Sequence, residues 1–166
     1  MSKGFKVAVT LITIMLLLNV AYFAYDIGNQ PWAPLCDYKV QKVLNTKGPD
    51  GISHVKTYED VKVEAVKCNA TDKPVKVRGF TSWYSKKPLG TSIQATSGAN
   101  VREPGNETLL FDNEIPDSVV VRSRNIKAAT GEDVVWILTG TETPYRDGGE
   151  DGVSETWVTE PFIIDT

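Results

Sequence analysis

Histidine, cysteine and methionine are nearly absent: one, two and two residues respectively in a chain of 166. A lone histidine, His54, rules out a His-rich metal centre or a second imidazole. Beside the Gly48–Gly51 turn it reads as a solvated loop residue. The chain has no G-x-S-x-G, H-E-x-x-H, phosphate-loop or dinucleotide fingerprint. Carboxylates are plentiful, but no two stand out as a glycosidase-type pair. The expectation is therefore a protein that is not an enzyme, with no catalytic residues, no cofactor and no metal centre. The lysines are not accompanied by an Arg-rich helix, zinc-ligand spacing or a stacking motif, so nucleic acid is not an expected partner. There is no internal repeat.

Only one long hydrophobic run is present. Val7–Tyr25 is uncharged, and Asn19 is its one strongly polar residue. A bilayer core of about 30 Å needs roughly 20 apolar residues in helix. Thr10 and Thr13 can bond back to carbonyls of their own helix and so cost little in lipid. Lys3 and Lys6 precede the run and Tyr22, Phe23, Tyr25 and Trp32 crowd its far end, which predicts a cytoplasmic N-terminus and an interfacial aromatic belt. A cleavable signal wants small residues before the cut, but the best site, after Ala24, has bulky Tyr22 two residues before it. A pilin-type leader lacks its glutamate, since Val9 stands there, and Pro31 and Pro34 stop the helix early. The expected organisation is a cytoplasmic tail over 1–6, a transmembrane signal anchor over 7–25, a stalk over 26–36 and an extracytoplasmic domain over 37–166.

The formal net charge of -3 hides an asymmetry. Residues 37–87 carry eleven Lys or Arg against six Asp or Glu; residues 88–166 carry five against fourteen. Two solvated faces would account for this, as would a dipolar surface that docks on a second copy or near anionic lipid. Cys36 and Cys68 are both exported in this reading and are expected to form a disulfide.

Beyond the prolines the texture is β. Strands are predicted over Tyr38–Asn45, Asp60–Lys67, Pro74–Tyr84 (with a bulge near Gly79), Thr91–Thr96, Glu107–Phe111, Ser118–Asn125, Asp133–Thr139 and Glu155–Ile164. In Asp60–Lys67, Val61, Val63 and Ala65 share one face. Val134-Val135-Trp136-Ile137-Leu138 reads as a central strand buried on both sides. Lys47–Gly51 and Asp147–Gly152 are turns, and Ser97–Asn106 is a loop. No helix is expected beyond the anchor.

About eight short strands at regular spacing argue for an all-β chain with an immunoglobulin-like or fibronectin-III-like β-sandwich ectodomain. The Cys68-to-Trp83 spacing is similar to that between the first cysteine and the core tryptophan of immunoglobulin domains. No later cysteine exists to make their inter-sheet disulfide. Trp83 and Tyr84 point to opposite faces, and an exposed member of this pair is the candidate contact aromatic. Asp147, Glu150 and Asp151 form a weak calcium candidate on a Gly-bent loop, although EF-hand spacing fails there. Asn69-Ala70-Thr71 and Asn106-Glu107-Thr108 match the glycosylation acceptor pattern.

These features imply a single-pass membrane protein whose partners are the lipid bilayer and another envelope or virion protein, or a second copy of itself. A carbohydrate- or cell-wall-binding module is the alternative from a different class. Trp136–Pro144 and Trp157–Phe162 resemble ectodomain segments of small bacteriophage-encoded membrane proteins. That resemblance implies an accessory role at the host envelope, such as superinfection exclusion, or a place in a virion membrane.

Overall fold

The computed structural model describes residues 3–28, 30–36, 39–88, 90 and 92–166, with backbone alone at 94–96. The chain divides between Trp32 and Ala33 into two units. In the first, α1 spans Lys3–Gly28. At 1.5 Å per residue its 26 residues reach about 39 Å, long and apolar enough to cross a membrane. Three polar side chains of its apolar run are satisfied within the helix. Thr10 and Thr13 hydroxyls donate to the carbonyls of Lys6 and Val9 at 2.9 Å, and the Asn19 amide donates to Met15 O at 2.8 Å.

The second unit, Ala33–Thr166, is mostly strand: β1 Val40–Val43, β2 Ser53–Lys56, β3 Val61–Asn69, β4 Val75–Lys87, β5 Ser92–Arg102, β6 Gly105–Asn113, β7 Val135–Tyr145, β8 Glu155–Thr159 and β9 Phe162–Asp165. One helix, α2 Asp117–Thr130, interrupts the series. The strands form one branched mixed sheet. Its long path runs β6-β3-β1-β8-β7-β4-β5, and β9 with β2 forms an arm on the start of β7. The β1–β8 and β2–β9 pairs are parallel and the rest antiparallel. The ends of the path curve over a shared core. Val61, Val63 and Ala65 of β3 pack with Trp83 of β4, Trp136 and Leu138 of β7, Trp157 of β8 and Phe162 of β9.

The branch explains why the predicted closing strand is two strands. Residues 139–142 of β7 pair with β8, and residues 135–136 pair with β9. Between them Leu138 N–H donates to Thr159 Oγ1 at 3.0 Å, so a side chain replaces a ladder bond. Pro161 follows and has no N–H to offer.

Other segments also depart from the sequence reading. Ser118–Asn125 is helical: Val119-Val120-Val121 looks like strand, but Val119 and Ser123 lie one turn apart and are both buried. Asp117 opens α2, and Gly131 closes it in left-handed conformation (φ 74°), donating to Lys127 O at 2.8 Å. The predicted loop over 97–106 is instead the end of β5, which pairs with β4, and the start of β6, which pairs with β3; both are too polar to show alternation. The bulge of β4 falls between Ser85 and Lys87, against β7, rather than at Gly79; between Thr81 and Ser82 its pairing with β5 also shifts, the extra residue there being on β5. His54 lies in β2, which the sequence reading took as loop. β7 is central, but it is fully buried on one face and half-buried on the other. Tyr38 and Thr91, the expected first residues of two strands, lie outside the described residues. Of the expected stalk, residues 26–28 belong to α1, and Leu35 is buried in the β unit.

Candidate functional site

Cys36 and Cys68 are joined as expected, with Cα atoms 4.9 Å apart. Cys36 N–H donates to Cys68 O at 3.0 Å and Ala70 N–H to Pro34 O at 2.8 Å, so residues 34–36 are strapped along the end of β3. Next to the strap, Asn69 is buried. Its amide donates to Lys73 O at 2.8 Å and Arg102 O at 3.0 Å, and its carbonyl oxygen accepts from the Thr71 N–H and hydroxyl. This side chain has a structural task that a glycan would displace.

Of the two candidate contact aromatics, Trp83 is fully buried against Phe162, edge to face with centroids 5.7 Å apart. Trp83 keeps the inward phase of Val75 and Val77 along β4, which leaves Tyr84 half-buried on the other side. Tyr84 is the member of the pair left for contact. The weak calcium candidates do not converge. Asp147 takes Lys76 at 2.7 Å, Glu150 takes Arg146 at 3.2 Å, and Asp151 takes Arg78. Among the described residues, no group of three or more His, Cys, Asp or Glu is arranged to hold a metal ion.

The basic and acidic halves meet inside the chain. Lys39–Glu155, Lys67–Glu142, Lys76–Asp147, Arg78–Asp151 and Lys87–Glu132 each join a cation from residues 37–87 to an acid from 88–166. Four of the five are on the surface, where such pairs contribute little stability. The fifth is buried. Glu142 on β7 accepts from Arg102 Nε at 3.2 Å and from its Nη2, while Lys67 Nζ reaches across from β3 to 3.3 Å. Lys67 also sits 4.8 Å from the centre of the Trp157 ring. Burial pushes the Glu142 carboxyl up, but the hydrogen bond from Arg102 and the charges of Lys67 and Arg102 outweigh it and hold the group below its ordinary value. Nothing in the sequence joins these three residues; only the curvature of the sheet does.

His54 forms a second polar cluster. Its Nδ1 lies 2.8 Å from Asp165 of β9 and its Nε2 3.1 Å from Asp50 in the turn before β2. Hydrogen bonds to Asp165 and then Asp50 raise its pKa. Asp50 is lowered, first by the Ile52 N–H and then by His54. Gly48 leaves room for the ring: a Cβ there would stand 2.7 Å from His54 Cδ2.

The outward face of β1-β3-β6 carries exposed apolar side chains. Leu110 of β6 is 70 % exposed and Val40 of β1 62 %, with Leu44 just beyond β1 also exposed. The Lys42–Glu64 ion pair crosses the same face, with Glu64 opposite Leu110. Among the described residues β6 pairs only with β3, so its other edge is open there. Together these features define a β-rich unit that follows one long apolar N-terminal helix and offers a sheet face and a strand edge for contact. No known protein family and no curated protein matches the sequence.

Proposed function

We propose that the chain is a single-pass membrane protein, N-terminus in the cytoplasm, whose β unit is a non-catalytic interaction or structural module outside. The observation that carries this reading is the exposed apolar side of β1-β3-β6 beside the open edge of β6, in a chain led by a helix of membrane-spanning length. Lys3 and Lys6, in the first turn of α1 ahead of its apolar run, support that orientation. The partner is an envelope or virion protein or a second copy, and the phage-envelope role implied by the sequence resemblance is one setting for it. An immunoglobulin-like or fibronectin-III-like kinship adds nothing here. The parallel pairs and α2 depart from two antiparallel sheets, so the reading rests on the surface.

Cross-linking on intact cells, followed by capture of the full chain and mass spectrometry, tests it. One dominant protein adduct that fades in Leu110→Ser supports the reading. Absence of any protein adduct contradicts it and turns attention to glycans at Tyr84.

A further inference from the structure

The register of β6 with β3 runs unbroken from Gly105 opposite Asn69 to Asn113 opposite Val61. The direction of each β3 peptide is fixed by what it bonds on the β1 side. Lys62 N–H donates to Asn45 Oδ1 at 2.8 Å, Lys62 O accepts from Leu44 N–H at 2.9 Å, and Val66 N–H donates to Gln41 Oε1 at 2.8 Å. Peptide groups alternate sides along a strand, so Val61, Val63, Ala65, Lys67 and Asn69 turn theirs toward β6. They meet Asn113, Phe111, Leu109, Glu107 and Gly105 there. The N–H and C=O groups of Asn106, Thr108, Leu110 and Asp112 therefore point away from β3, into the open edge. All four residues are exposed, and no other described strand or helix runs along that edge.

Sheet edges in this state pair with further strands unless something blocks them, and the common blocks are lysine, proline, a bulge or shortness. β5 is bulged against β4 and carries Gly98. β2 is four residues long, and Thr46 and Lys47 bond along its other side. β6 is nine residues long and has no lysine, proline or bulge. Its two acids, Glu107 and Asp112, lie opposite Lys67 and Lys62 of β3. Its centre is Leu109-Leu110-Phe111, with Leu110 70 % exposed and its neighbours half-buried.

An added antiparallel strand must match this edge residue by residue, and β6 itself does. With Leu110 opposite Leu110 of a second copy, outward peptides meet outward peptides. Leu109 then faces Phe111, Thr108 faces Asp112 and Glu107 faces Asn113, so each apolar residue meets another and no two acids are opposed. Moving the two-fold axis by one residue would set Leu110 against Thr108 or Asp112 instead.

We infer that the chain pairs with a second copy of itself by antiparallel β6–β6 addition, with Leu110 at the two-fold axis. Self-pairing rests on the proposed contact role of this side of the β unit and fixes the second copy as the partner.

The test uses the full chain in detergent. Thr108→Cys and Asp112→Cys chains are oxidised separately and as a mixture. The mixture should give an interchain disulfide between positions 108 and 112, mapped by mass spectrometry, and neither variant alone should. Leu110→Pro added to both chains removes an outward N–H and leaves the β3 ladder whole; Leu110→Lys leaves the backbone untouched. Each should cut the cross-link yield at least about tenfold. No cross-link from the mixture, an equal yield from either variant alone, or an undiminished yield in folded Leu110→Lys chains would overturn self-pairing. On intact cells, an adduct to a different protein that fades in Leu110→Ser would overturn self-pairing and leave the contact role standing, whereas no adduct at all would remove both.

Discussion

Replacing Glu142 by Gln keeps the shape of the side chain and removes its charge. In the native chain this carboxylate accepts twice from Arg102 and faces Lys67 at 3.3 Å, and Arg102 is 6 % exposed. Gln leaves the buried guanidinium without a carboxylate, and breaking a buried pair from one side costs about 3–5 kcal/mol. For a unit of this size that corresponds to a fall in Tm of about 10–20 °C. Urea unfolding of the full chain in detergent, followed by tryptophan fluorescence, measures it. Removing the Arg102–Glu142 pair, in Glu142→Gln with Arg102→Met, should cost less than the sum of the single changes, because the guanidinium is then no longer left facing an uncharged amide, while Lys67 stays in both backgrounds. The pH dependence has a definite sign. Since the folded Glu142 carboxyl lies below its ordinary value, its contribution is full above the unfolded pKa and disappears as pH falls through the folded one. Glu142→Gln should flatten that part of the acid limb. A loss under about 1 kcal/mol, or strictly additive single and double variants, would refute the buried-pair account.

Three further outcomes follow from neighbouring geometry. The raised pKa of His54 means that its clip to Asp165 and Asp50 stabilises the fold below the unfolded pKa, and that this is lost as pH rises through the higher folded value. His54→Asn should remove this slope in unfolding midpoints taken across neutral pH; an unchanged slope would put its origin elsewhere. Gly140→Ala places a methyl 2.2 Å from Trp157 ring atoms and should destabilise by about 1–3 kcal/mol in the same assay, whereas a neutral effect would show the indole free to move. Cys36→Ser with Cys68→Ser opens a loop of sequence separation 32 and should cost about 3–4 kcal/mol relative to the oxidised wild type, and no difference between the two would show the bond to be unformed or energetically idle.

Elements with strong local signals were legible in the sequence. α1 announces itself by its apolar run, β3 by the alternation of Val61, Val63 and Ala65, and the Cys36–Cys68 bond by cysteine count. α2 was hidden because three consecutive valines imitate a strand. The informative signals were the Asp117 opening, the Gly131 stop, and the one-turn spacing of Val119 and Ser123. That spacing matters in the fold, since the Trp136 indole N–H donates to Ser123 Oγ at 2.9 Å. β2 escaped notice because it is only four residues long and takes its support from β9, over a hundred residues away. The candidate site was less legible still. Trp83 faces inward in the phase of Val75 and Val77, but which of Trp83 and Tyr84 meets the core depends on how β4 is seated between β5 and β7, and the Lys67, Arg102 and Glu142 cluster draws one residue from each of three strands. Local sequence carries propensity and pattern, not the curvature that brings β3 over β7.

The central claim is that α1 crosses a membrane once and leaves the β unit outside. Carbonate extraction of membranes combined with protease treatment of intact and opened cells tests it most directly, with a tag at each end of the chain. The account predicts that the chain stays with the membrane fraction, that external protease removes the C-terminal tag from intact cells, and that the N-terminal tag is lost only once the cells are opened. Release by carbonate, or a C-terminal tag protected until the membrane is breached, would contradict it.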